Sequence, residues 1–168
     1  MGQRQNAPHG TTRKRGGGKI CSGKSTYAEY LRTENTAVLL SVDEIMIALF
    51  GLYAGNKHDE YTEKIQSYLF EKSVEIIQSG INVIMDWGFW SKFSRTHAKE
   101  FYTLRNIEYT FYYIDISDEI WKERITYRNK LVSKGEIEAY IIDSNLAAKF
   151  ENLFEPPSED EIEVWIHC

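Results

Sequence analysis

Gly18, Gly23, Lys24 and Ser25 stand in the stretch GKICSGKST as Gly-x4-Gly-Lys-Ser, a spacing suited to gripping a phosphate chain. Phosphate oxygens carry several negative charges and need donors that approach without steric conflict. Glycines let the backbone curl so that successive N–H groups point inward, those of Cys21 and Ser22 among them. The helix that follows adds the positive end of its dipole. Lys24 is then placed to reach the terminal phosphates, Ser25 to ligate a magnesium ion through its hydroxyl, and Thr26 to meet the first phosphate. The rival reading of GGG alone is a flexible linker. It weakens once Lys-Ser-Thr opens a helix. Cys21 sits inside the loop, where a small residue filling the turn is the expected role; the other reading is an oxidisable thiol, its pKa lowered by the helix N-terminus and a lysine and shielded by nucleotide.

Two carboxylates and two guanidiniums complete the reactive set. Asp43 follows the apolar run AVLLSV and Asp86 follows INVIM. In an open parallel sheet, ligands bind beyond the carboxyl ends of the strands. Phosphoryl transfer needs a group to orient or deprotonate the attacking hydroxyl and a carboxylate for magnesium or its water shell. Asp43 suits the first task and Asp86 the second, although either alone could cap a helix. Asp115 has the same placement but is explained better by capping, since Ser117 follows. Arg124 and Arg128, four apart in WKERITYRN, share one helical face. They can close over a phosphate chain and stabilise charge during transfer, or pair weakly with surface acids such as Glu123.

Strands and helices must position these groups, and the chain supplies them in alternation. Helices are expected from Gly23 to about Arg32, from Asp43 through Ala54, over YTEKIQSYLFEKSVEIIQ to a glycine stop at Gly80, after Ser117, and over about Ile137–Leu153. Pro156-Pro157 blocks continuation of the last. AVLLSVD, INVIMD and YTFYYID are compact apolar strands, and EIEVWI alternates as a final one. Strands separated by long helices imply crossovers and a mainly parallel sheet covered on both faces, an α/β architecture. A chain of 168 residues is one domain, 18–168, preceded by a basic head over 1–17 read as disordered. Residues 1–24 hold six Lys/Arg and no acid, leaving fourteen basic against twenty-five acidic residues, or −11, in the remainder. That balance argues against a broad nucleic-acid-binding face and leaves only the head as a candidate for one. Cys21 and Cys168 form no metal-ligand or disulfide pattern, and no apolar run approaches a membrane span. A cytoplasmic protein is expected.

In order and spacing, GKICSGKST, LLSVDEIM, NVIMDWGFWSKFSR, YYIDISDEIWKERITYRN and FEPPSEDE resemble the AAA-type predicted kinases. These are small P-loop phosphotransferases related to zeta toxins, chloramphenicol phosphotransferase and the kinase half of polynucleotide kinase. The resemblance covers about residues 18–166. It implies a three-layer α/β/α P-loop fold, ATP and Mg²⁺ as cofactors, and phosphate passed to a hydroxyl of a small molecule or a nucleic-acid end. It places Asp43 near that hydroxyl and makes Lys24, Arg124 and Arg128 catalytic, the arginines as lid residues. It sets Pro156 of FEPP beside the adenine and Arg95 of SKFSR over the substrate, a residue equally readable as a solvated helix charge. The chain departs from the pattern at its start. The strand feeding the loop is the central one in this fold, and relatives place some five apolar residues where this sequence has TTRKRGG. The central strand is therefore expected to be degenerate or missing, through a disrupted or misassigned N-terminus. A non-catalytic ATP-binding remnant is the alternative.

Overall fold

The computed structural model describes residues 14–52, 54–137 and 139–168, with residues 14–17 described by their backbone. Most of the proposed basic head, residues 1–13, lies outside the described residues.

The expected strands and crossovers form. The strands are β1 (Lys14–Gly17), β2 (Ala37–Ser41), β3 (Asn82–Asp86), β4 (Thr110–Asp115) and β5 (Val164–His167). The helices are α1 (Lys24–Glu34), α2 (Val42–Phe50), α3 (His58–Gln78), α4 (Lys92–Thr103), α5 (Asp118–Ser133) and α6 (Ser144–Leu153). The sheet runs β2-β3-β1-β4-β5, with every pairing parallel.

The central strand is present, degenerate in sequence as expected but not missing. The basic head does not extend to residue 17, because Lys14–Gly17 is β1 and lies in the middle of the sheet. Nor is the slot between β3 and β4 empty. Lys14 and Arg15 register with Ile84 and Met85 of β3, and Lys14 through Gly17 register with Thr110 through Tyr113 of β4. The ladder is made by main-chain N–H and C=O groups, which lysine, arginine and glycine carry like any other residue. Four residues suffice to join the two apolar halves.

Alternation along the neighbouring strands covers both faces. Val83, Met85, Phe111 and Tyr113 pack with Met46, Leu69, Phe70 and Tyr102 of α2, α3 and α4. Ile84 and Tyr112 point to the other side, against Ala28 and Leu31 of α1. Beneath α4 the hydroxyl of Tyr102, 0 % exposed, meets Ser73 Oγ at 2.5 Å and Met85 Sδ at 2.9 Å. The helix starts follow side-chain caps: Ser41 accepts from Glu44 N–H, Ser91 from Ser94, Ser117 from Ile120 and Asp143 from Leu146. Gly80, with φ +82°, terminates the turn after α3 as expected.

The helix expected over Ile137–Leu153 begins only at Ser144. Its cap is Asp143, and the preceding residues are held in a non-helical path by α5. Asn129 Nδ2 donates to Ile142 O at 2.8 Å while Ile142 N–H donates to Asn129 Oδ1 at 2.9 Å.

Arg95 is not a substrate cation. It is 3 % exposed, donates through Nε to Glu161 at 2.6 Å, and donates through Nη1 to the carbonyls of Phe89, Trp90 and Glu155. It binds α4 to the segment leading into β5. Cutting one partner from so buried a pair leaves an uncompensated charge, so Arg95→Met should destabilise the fold by about 3 kcal/mol in urea unfolding. Hydrogen bonding from Arg95 holds the Glu161 carboxyl down to about 2, against an ordinary 4.5. A carboxyl depressed in the folded state stabilises fully above about pH 4.5, and that contribution is lost as pH falls toward 2. Glu161→Gln should therefore flatten the acid limb of the stability profile between those values.

Candidate functional site

β1 delivers the chain directly into the turn 18–23, at the carboxyl end of the sheet. Gly18 has φ +139°, and a Cβ there would lie 2.7 Å from Ser22 Oγ and 2.8 Å from Ile114 O. Gly23, with φ +100°, ends the loop and is the N-cap of α1, where a Cβ would come within 3.3 Å of an Arg124 nitrogen. Both positions exclude other residues, one by close approach and both by conformation. Cys21 also adopts a left-handed φ of 60°. No side chain caps α1 and no acid lies in its first turn. The free N–H groups at that end can therefore take an anion.

Lys24 crosses the loop, donating from Nζ to Gly18 O at 3.1 Å and to Lys19 O at 2.8 Å. Burial lowers its pKa, against the pull of the Asp86 and Asp43 carboxylates. Asp86 is 6 % exposed, and burial raises its carboxyl above the usual 3.8. A hydrogen bond from Ser25 and the charge of Lys24 oppose that rise, while Asp43 adds to it. Asp43 itself is exposed, in the first turn of α2.

The arginines of α5 reach the same place. Arg124 Nη1 donates to Ser22 O in the loop, and Arg128 Nη1 donates to Tyr140 O at 2.9 Å. For Cys21 the direction of its pKa favours the turn-filling reading over the acidified thiol. Burial raises the Cys21 pKa, and Arg128, Lys24 and Arg124 only partly offset it. Trp121 Nε1 braces the loop from outside by donating to Ile20 O at 2.8 Å.

A cavity of about 1440 Å³ gathers Cys21, Ser22, Gly23, Lys24, Ser25 and Thr26 on its wall. It brings Asp43, Asp86, Arg124 and Arg128 to the same space. Two of the expected binding residues stand outside it. Gly18 packs beneath the loop, and Pro156 lines a separate 280 Å³ cavity with Lys19, Ile20, Trp90, Trp121, Phe150 and Phe154. Of the aromatics after Asp86, Trp87 and Trp90 reach the large cavity, whereas Phe89 is core, edge-on to Phe111. Asp115 pairs with His167 at 3.2 Å instead of serving the site.

The donor set suits a magnesium ion. Ser25 and Asp86 both line the cavity, and a hard cation of this size binds through one or two protein oxygens, with phosphates and water completing its shell. Among the described residues no group of three or more His, Cys, Asp or Glu forms a metal cage.

Sequence reading missed the rest of the cavity. Asp59, Thr62 and Gln66 line it from α3, three and four apart, a one-faced spacing that was visible. His58, Tyr140 and Lys149 carry no motif. Asn129 was missed too, although its side chain holds both backbone groups of Ile142, itself 3 % exposed. Asn129→Leu leaves that N–H and C=O unpaired and should cost about 1–3 kcal/mol in denaturant unfolding. Protease cleavage should appear first between residues 136 and 143.

A family model described as an AAA domain matches residues 17–143. No curated protein matches the chain. Among solved structures, a sugar kinase from Janibacter sp. HTCC2649 is 18% identical with TM-score 0.61, over 94% of this chain and 85% of that one. A putative kinase from Chloroflexus aurantiacus is 17% identical with TM-score 0.69, over 94% and 87%. The APS kinase CysC of Mycobacterium tuberculosis, solved in complex with AMPPNP and APS, is 17% identical with TM-score 0.64, over 96% and 90%. At these identities the likeness is one of fold, a three-layer P-loop architecture shared with kinases. The match to the family model spans most of the sequence, and the chain belongs to the AAA domain family.

Proposed function

We propose that the protein is an ATP-dependent phosphotransferase that passes the γ-phosphate to a hydroxyl group. The observation that carries this reading is the meeting, in one cavity, of an uncapped helix N-terminus behind a glycine loop, a lysine, the Asp86 carboxylate at the end of β3, Asp43 in the first turn of α2 and two arginines. The P-loop fold shared with kinases supports it.

Each residue has a definable task. The backbone N–H groups from Cys21 to Ser25 bind phosphate oxygens. Lys24, its ammonium now on the carbonyls of Gly18 and Lys19, can turn to the transferring phosphate and offset the charge that develops there. Arg124 and Arg128 stabilise that charge from the side of α5. Ser25 and Asp86 would hold magnesium, which when bound neutralises charge on the phosphate oxygens. Asp43, exposed at the cavity, orients the acceptor hydroxyl and takes its proton. The acceptor oxygen forms a bond to the γ-phosphorus as the bond to the bridging oxygen breaks, and ADP leaves with the electron pair. A non-catalytic ATP-binding protein is the rival reading, and turnover of Mg-ATP with any hydroxyl acceptor separates the two.

Mg-ATP should raise the melting temperature of the parent but not of Lys24→Ala or Gly18→Ala. Equal shifts in all three would reject the nucleotide site. Asp43→Asn should retain the shift and lose roughly 10²–10⁴ in turnover, the usual contribution of a general base. Because burial lifts the Asp86 carboxyl above 3.8, magnesium affinity should begin to fall at a higher pH than for an ordinary aspartate as acid is added. Calorimetric titrations across pH measure this, and Asp86→Asn should show neither the affinity nor its acid dependence.

A further inference from the structure

Single-ligand pockets run to about 300–1,000 Å³, and this cavity, at 1440 Å³, leaves room for an acceptor beside a nucleotide. The cations on its wall are of two kinds. Lys24, Arg124 and Arg128 each donate to a main-chain carbonyl, at the loop or at Tyr140. Lys149 of α6 is held by no such bond. Its Nζ lies 4.0 Å from Asp59 Oδ2 of α3, an ion-pair distance too long for a hydrogen bond. The Lys149 side chain is 56 % exposed and that of Asp59 81 %, so water screens the attraction and the pair is weak. Among the described residues no acceptor takes a hydrogen bond from Lys149, and its ammonium donors remain available to a ligand.

Lys149 also stands out by its place on α6. Leu146, Lys149, Phe150 and Leu153 line the cavity, and their spacing puts them on one face of the helix. Leu146, Phe150 and Leu153 are apolar and Lys149 is the charge among them, while the acid of the helix, Glu151, is not on that wall. A charge on an otherwise apolar face departs from the pattern that packing alone selects, and such departures mark functional positions. Phe150, next in the chain, packs edge-on to Trp90 with ring centroids 4.8 Å apart, and both residues line the cavity. Their rings offer an apolar surface to the carbon skeleton of a small molecule.

We propose that the phosphate acceptor is a small molecule carrying an anionic oxygen group, a carboxylate or a phosphate, which Lys149 binds while a hydroxyl of the same molecule is presented to Asp43. This rests on the transferase reading above. The anionic group replaces Asp59 as the partner of Lys149, exchanging an ion pair at 4.0 Å for charge-assisted hydrogen bonds. An ammonium on a four-carbon stem reaches such a group without demanding one fixed geometry. In the transfer, the hydroxyl oxygen bonds to the γ-phosphorus and its proton passes to Asp43. The bond from that phosphorus to the bridging oxygen of ATP breaks, and ADP leaves with the electron pair.

The test uses the full chain with Mg²⁺ and γ-labelled ATP. The acceptors come in matched pairs: hydroxy acids with their neutral amides or alditols, and sugar monophosphates with the free sugars. A 5′-hydroxyl oligonucleotide completes the panel. At least one acid or ester should be used with kcat/KM about 10-fold or more above its neutral counterpart and the oligonucleotide, and which arm it belongs to tells carboxylate from phosphate. Lys149→Met should raise the KM for that acceptor about 10-fold and Lys149→Arg should recover most of the loss, while the Mg-ATP thermal shift stays at the parent value in both. Asp59→Asn removes the competing carboxylate and should lower the same KM roughly 2- to 3-fold. An ion pair that only ties α6 to α3 would make Lys149→Met and Asp59→Asn equivalent, so changes of equal size and direction overturn the proposal. Preference for a neutral acceptor or the oligonucleotide, or an unchanged KM in Lys149→Met, overturns it and leaves the transferase standing. Absence of transfer to every acid and ester, with the nucleotide shift intact, overturns it too. Loss of the shift in the parent would remove the transferase reading along with it.

Discussion

The site depends on a four-residue parallel strand that pairs on both sides. β1 closes the sheet between β3 and β4 and in the next residue releases the chain into the loop. At that point Gly18 passes so close to Ile114 O and Ser22 Oγ that a side chain would have to displace one of them. The register of β1 against β4 thus sets the height of the loop above the strand ends. The same sheet sets the height of Asp86, one register pair beyond Met85. Loop and carboxylate are positioned by one hydrogen-bonded frame, not by two independent supports.

Within the frame, the charges hold each other at unusual protonation energies. Burial disfavours both the Lys24 ammonium and the Asp86 carboxylate, and each is the other's main opposing charge, helped in one case by Asp43 and in the other by Ser25. The cations are also occupied by backbone oxygens of the loop and of residue 140. An incoming phosphate chain would exchange carbonyl partners for charged ones, which strengthens every contact it replaces. Because α5 carries both arginines and Asn129, the phosphate end and the segment bearing Tyr140 are linked through one helix.

Much of this was legible in residue order. Glycine spacing, the apolar runs before Asp43 and Asp86, and the serine start at Ser117 are local signals, and their elements formed close to the pattern, although α2 takes over at Val42 and includes Asp43. The central strand reads as degenerate because apolar character is the usual mark of a buried strand. Pairing is a property of the main chain, and KRGG provides it without hydrophobic side chains. The helix before Asp143 was overdrawn for the opposite reason. Local propensity would continue it upstream, but two bonds from Asn129, thirteen residues away, fix Ile142 in another path. Arg95 looked like a substrate cation because a helix position alone does not tell whether its guanidinium faces Glu161, sixty-six residues on.

Sequence alone pointed to the kind of chemistry: a glycine loop with lysine and serine suits a phosphate chain, and acids after apolar runs suit magnesium and a hydroxyl. It also determined the α/β alternation, since periodicity and caps act over a few residues. Tertiary structure decided which charges face the cavity, such as Lys24, Arg124 and Arg128, and which, like Arg95, are buried against partners of their own. Those properties arise where elements converge from distant parts of the chain, and no local pattern encodes a contact whose two sides are so far apart.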